Sequence, residues 1–272
     1  MVGTLLLNAS FRVFPRLSCQ ARSPLPVKPT PLRIPTPQPH WASLQAEVEA
    51  HLRQTIPIKE PLEVFRPMHQ LVFAAPHTTV PTLCLAACEL VGGHRSEAMA
   101  AAAALLLSLA NAHAHEHLDD SEGANIALLT GDGVVSFGFE LLARGEGAGR
   151  ERAERVVRVI VEISRAVGSG GLIDSQHMAK KLRAEGMKRV VEKRDGGLHA
   201  CGAACGAVLG GGSEEEIEKL RRFGFHVGMM RGMAQRGFDK LDVEEQRNLA
   251  LKELHFFKDT HLHLISTFLN FY

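Results

Sequence analysis

The placement of proline constrains this chain more than any other feature. Of its 13 prolines, eight fall in residues 1–40, and the others are Pro57, Pro61, Pro67, Pro76 and Pro81, so none follows residue 81. Proline lacks an amide hydrogen and clashes with the turn before it, which breaks helix interiors. The long proline-free remainder carries one Tyr and few alternating apolar runs, so it reads as helix after helix. The expected fold class is all-α. Helical patterns run over 41–54, 61–68, 83–91, 97–118, 131–143, 152–167 and 198–209. In the sixth, Val156, Ile160, Ile163 and Val167 recur at helical spacing. Glycine pairs and triplets punctuate these segments.

The segment 198–209 (LHACGAACGAVL) has so few side-chain atoms that a neighbouring helix can approach its backbone closely. Its glycines also weaken it in water, so it needs something to pack on. Gly210, Gly211 and Gly212 end it, and Ser213 and Glu216 stand as N-cap and N3 of a capping box. The glycine triplet is a helix stop and not a phosphate loop, because no Gly-Lys-Ser/Thr follows.

The first segment is a different polymer. Residues 1–46 contain no Asp or Glu, while Arg12, Arg16, Arg22, Lys28 and Arg33 are all basic. An acid-poor, hydroxyl-rich, basic leader over residues 1–40 reads as a disordered organelle transit peptide, with a plain disordered tail as the alternative. The folded domain is expected over 41–272. Without the leader, 26 basic residues face 30 acidic ones, and the whole chain carries only +1. Neither balance suits a nucleic-acid surface. The apolar run 98–112 falls short of the roughly 20 residues that span a bilayer, so it is expected to be a buried core helix and no transmembrane segment is expected.

Two clusters carry chemical potential. Cys84 and Cys88, and Cys201 and Cys205, share one spacing that places both thiols of a pair on one helical face. The readings are a partner-contact surface, a four-thiolate zinc site, a redox pair, or four small buried hydrophobes. Zinc thiolate sites usually come from CxxC knuckles, and a disulfide within one helix is geometrically poor. Repetition of the spacing favours the contact surface, where bulkier polar substitutions would weaken partner binding and leave the helices mostly intact. His113, His115 and His117, with Glu116, lack a His-Glu-x-x-His arrangement and a third ligand, so they read as a solvated helix end.

The run CLAACELVGG (84–93) resembles the second helix of plant geranylgeranyl diphosphate synthases. PLEV (61–64), TGDGVVSFGFELLA (130–143), GLIDSQ (171–176) and GAVLGGGSEEEIEKLRRF (206–223) resemble the same family in order, across residues 41–240. The resemblance implies the isoprenoid synthase (polyprenyl synthase) fold, a helical bundle around a deep central cavity. It also implies two aspartate-rich motifs that hold Mg²⁺ ions against diphosphate substrates.

This chain departs from that pattern at every catalytic part. Where the family has its first motif, HEHLDD (115–120) keeps Glu116 but has His117 next, and Asp119 and Asp120 point to other faces. The loop that follows in the family is largely missing. The second motif aligns with RGMAQRGFD (231–239), where Gln235 and Arg236 replace two carboxylates and only Asp239 remains. An arginine repels a divalent cation. The family's diphosphate-gripping cations align with APHTTVP (75–81), at His77, Thr78 and Val80, and its Lys-Thr pair falls near Arg194 and Asp195. The chain also ends about 30 residues after Asp239, short of the family's C-terminal helices.

The sequence therefore resembles the catalytically inactive small subunit, type II, of the plant heteromeric synthase, a subfamily whose two Cys-x-x-x-Cys motifs are implicated in binding the catalytic large subunit. The implied role is a non-catalytic plastid (chloroplast) protein that binds that large subunit as a heterodimer or higher heteromer. It would modulate activity, product length or recruitment to downstream plastid isoprenoid enzymes. No catalytic residue, metal or cofactor is expected in this chain, with Mg²⁺ left to the partner. The alternatives are a type I small subunit that directs geranyl diphosphate formation, a weakly active prenyl diphosphate-binding transferase using Arg231 and Arg236, and a thiol or zinc sensor.

Overall fold

The computed structural model describes residues 39–116, 124–145, 149–181, 186–258 and 262–270. Residues 1–38 of the expected leader, with Cys19, and His117, Asp119 and Asp120 lie outside the described residues, while Pro39 and His40 open α1. All described residues belong to one unit, Pro35–Tyr272. Among them every regular element is helical: α1 Pro39–Thr55, α2 Leu62–Ala74, α3 Val80–Leu90, α4 Arg95–Glu116, α5 Ala124–Arg144, α6 Arg150–Val167, α7 Leu172–Lys181, α8 Met187–Val191, α9 Gly197–Leu209, α10 Glu214–Gln235, α11 Lys240–Leu254 and α12 Leu262–Ser266. A π-helical segment, Glu192–Gly196, joins α8 to α9, and a 3₁₀ turn, Thr267–Leu269, follows α12.

Local sequence explains most boundaries. In α1, Leu44, Val48 and Leu52, continued by Ile56, recur every fourth position and are all but fully buried. Pro81 sits in the first turn of α3, where its missing amide hydrogen costs nothing. Ser213 and Glu216 make the expected capping box: the Ser213 hydroxyl accepts from the Glu216 amide at 3.3 Å, and a Glu216 carboxylate oxygen accepts from the Ser213 amide at 2.7 Å. The stripe on α6 is rotated from the expected one. Val159 and Ile163 are its buried residues, while Val156, Ile160 and Val167 are only half-buried. α5 begins at Ala124, seven residues ahead of the expected start.

α9 is the axis of the molecule. Every residue from Leu198 to Leu209 is buried, and α3, α10, α6 and α4 pack around it. Its glycines make this approach feasible. A Cβ at Gly206 would lie 1.9 Å from the Cys84 carbonyl oxygen, well inside van der Waals contact. The partner that this small-residue helix requires is therefore supplied by the same chain. α10 repeats the device with Gly224, Gly228 and Gly232, whose missing side chains leave room for the backbone and side chains at 195–199. That repeat stands in the sequence at four-residue spacing.

Candidate functional site

A cleft of about 870 Å³, counting its mouth, opens between the end of α4, the start of α3, the π-helical segment and the end of α10. The π segment inserts one residue into the helical register and turns Arg194 and Asp195 toward this cleft. Arg194 meets Glu116 of α4 in a two-pronged ion pair, with guanidinium nitrogens 2.5 and 2.7 Å from the two carboxylate oxygens. Asp195, mostly buried, has its Oδ2 2.9 Å from a nitrogen of Arg236, which also donates to the Gly232 carbonyl at 2.9 Å. The Asp195–Arg236 contact is an ion pair without an aligned hydrogen bond at Oδ2. Burial raises the Asp195 pKa above the usual carboxylate value, although Arg236, Arg194 and Arg231 all pull it down.

His199 forms the cleft floor. Its Nδ1 is 2.7 Å from the Asp195 carbonyl, which only accepts, so Nδ1 donates. Nε2 then accepts from the Thr79 hydroxyl at 3.0 Å. Burial, and secondarily the positive charge of Arg231, lower the imidazole pKa to about 3, so the ring is neutral. The sequence signal for His199 was a histidine at the head of an otherwise small and apolar helix, which sequence reasoning passed over.

The other expected positions scatter. His77 is exposed and touches Gln45 and, at 3.7 Å, Glu49. The Thr78 hydroxyl accepts from the Val80 amide at 3.3 Å, and Val80 is buried in the first turn of α3. Gln235 is exposed at the cleft. Asp239 is turned to other work: it caps α11 by accepting from the Leu241 amide at 2.8 Å. Among the described residues no three of His, Cys, Asp and Glu converge as metal ligands. A Mg²⁺ ion bridging diphosphates needs several free carboxylate oxygens. Glu116 and Asp195 are instead committed to arginines, and Gln235 and Arg236 supply none, so this donor set does not fit the Mg²⁺ clusters implied by the resemblance.

The cysteine pairs lie inside the bundle. Cys84, Cys88, Cys201 and Cys205 are free and buried, with exposures of 0, 0, 3 and 0%. They lie along α3 and α9, with Cys201 and Cys205 sulfurs 3.8 Å apart and the Cys88 thiol donating to the His94 carbonyl at 3.4 Å. Burial pushes the Cys88 thiol to about 12 and raises Cys84, while the contact with Cys201, ahead of burial, raises Cys205. Both pairs lie in the seam between α3 and α9, which pack on each other within this chain.

An all-α bundle with a cleft between the ends of facing helices is an architecture of the isoprenoid synthase class. The polyprenyl synthetase family model matches residues 110–233. A heterodimeric geranylgeranyl pyrophosphate synthase small subunit 1, chloroplastic, from Cannabis sativa is 40% identical over 94% of this chain and 93% of its own. A mint deletion mutant of heterotetrameric geranyl pyrophosphate synthase aligns with TM-score 0.80 and 47% identity, covering 85% of this chain and 99% of that one. A geranyl diphosphate synthase small subunit from Antirrhinum majus gives TM-score 0.79 and 42% identity, covering 85% and 97%. The chain belongs to the polyprenyl synthetase family, and its relatives include small subunits of heteromeric synthases.

Proposed function

We propose that this chain is a non-catalytic plastid subunit that docks on the catalytic large subunit of a heteromeric prenyl diphosphate synthase and alters its rate or product length. The observation that carries this reading is the apolar surface left by two consecutive helices. Ile126 and Leu129 on α5 are 58 and 73% exposed, and Val157 and Val161 on α6 are 59 and 40% exposed. α5 is apolar enough along its length to cross a membrane, yet only 22% of its apolar window is buried. Two consecutive helices that each expose aliphatic side chains are a surface that another chain can cover. α4 passes the same length and composition test, but it lies against α3 and α5 within the bundle.

The absence of chemistry is part of the same proposal. Among the described residues of the cleft, the carboxylates of Glu116 and Asp195 are paired to arginines and not free for Mg²⁺, which supports leaving catalysis to the partner. The cysteine pairs contribute by setting the spacing of α3 and α9. Its plastid location is supported by the chloroplastic relatives. A second reading, that the product favoured is geranyl and not geranylgeranyl diphosphate, is supported by the two similar solved structures, both of geranyl diphosphate synthases.

The test is to purify the full chain alone and co-expressed with a plastid geranylgeranyl diphosphate synthase large subunit. Both samples are assayed with isopentenyl diphosphate, an allylic diphosphate and Mg²⁺, with size-exclusion chromatography for assembly. The expected outcome is no turnover alone, a stable heteromer, and a changed rate or chain length in the mixture. Mg²⁺-dependent turnover by the chain alone, or failure to co-elute, overturns the proposal; product length decides between the two readings.

A further inference from the structure

We propose that the cleft is a masked anion site: the carboxylates of Glu116 and Asp195 occupy Arg194 and Arg236 as built-in anions and so close the cleft to free diphosphate groups. Glu116 comes from α4, Arg194 and Asp195 from the π segment, and Arg236 from the end of α10, so two ion pairs tie three parts of the cleft rim together. The two-pronged contact between Glu116 and Arg194 has the fork geometry with which a guanidinium grips phosphate oxygens. A carboxylate held by its own helix competes at high effective concentration against a ligand from solution, without losing translational freedom on binding. Both pairs are partly shielded, with side-chain exposures of 17–32%, so they are screened less than surface pairs.

The guanidinium groups of Arg194 and Arg236 lie in and beside the cleft, each set against one of these carboxylates. Removing one carboxylate leaves a surplus of positive charge at a ready-made fork. The inference concerns the cleft alone and holds whether or not the α5–α6 face docks a large subunit.

Inorganic pyrophosphate is the probe, titrated calorimetrically into the full chain without Mg²⁺. The expected result is that Glu116→Gln binds at least tenfold more tightly than wild type, and that adding Arg194→Gln abolishes the gain. A thermal series guards against misfolding of the single variants: the exchanged pair Glu116→Arg with Arg194→Glu should melt higher than either single substitution. Equal pyrophosphate affinity of wild type and Glu116→Gln overturns the proposal, and so does an exchanged pair no more stable than its singles.

Discussion

His199 shows how one buried side chain couples the cleft to stability. Its ring is neutral in the fold, with its pKa lowered from the ordinary 6.5 to about 3, chiefly by burial. As pH falls below 6.5, the unfolded imidazole takes up a proton that the folded one refuses, so the unfolded state gains and stability drops. The loss is about 1.4 kcal/mol for each pH unit well inside that window, down to about pH 3. His51, also lowered by burial, acts in the same direction. Denaturant unfolding at pH 7 and pH 5 should show wild type losing about 1–2 kcal/mol more than His199→Gln between the two, with His51 common to both. An equal loss would exclude this role for His199. The thiols give a second prediction at this scale. Buried and with raised pKa values, Cys84, Cys88 and Cys205 hold almost no thiolate at neutral pH. Alkylation with iodoacetamide followed by peptide mapping should label them at least tenfold more slowly in the native protein than in denaturant.

At the scale of elements, the molecule depends on the contact between α3 and α9. Gly206→Ala forces a methyl group onto the Cys84 carbonyl, 1.9 Å from where the new carbon would sit. Since the neighbour is backbone, it cannot rotate away, and the expected cost is about 2–4 kcal/mol in chemical denaturation. A change within the experimental scatter would show that the seam is looser than described. The same packing changes what is expected of bulky polar substitutions at Cys201 and Cys205: these should reduce fold stability, with any loss of partner binding following from it. At the start of α10, Ser213→Ala removes only the reciprocal cap, and the loss should be about 1 kcal/mol. Helix limits such as this were legible in the sequence because caps, prolines and glycine stops act over a few residues. The rotation of the α6 stripe was not, because the spacing of valines and isoleucines permits two adjacent faces and only the neighbours of α6 select between them.

For the whole molecule, the exposed aliphatic residues of α5 and α6 set the strongest expectation. Leu129→Asp with Val157→Asp should prevent co-elution with the large subunit while leaving the far-ultraviolet circular dichroism and melting midpoint near wild type. Both side chains already stand in water, so charging them costs the isolated fold little but would bury unpaired charge in a complex. Retained assembly would move the docking surface elsewhere.

The sequence by itself determined the all-α class and several helix limits, because these follow from proline placement and local caps. It could show which charged residues the chain carries. Only the tertiary structure decided what the remaining groups do. Glu116 and Arg194 are 78 positions apart, and their meeting depends on the register change in the π segment and on the close approach of glycine-lined helices. The same packing places the two cysteine motifs in an internal seam between α3 and α9. Helical periodicity specifies that a face is apolar; it does not specify whether the chain covers that face itself or leaves it for another molecule.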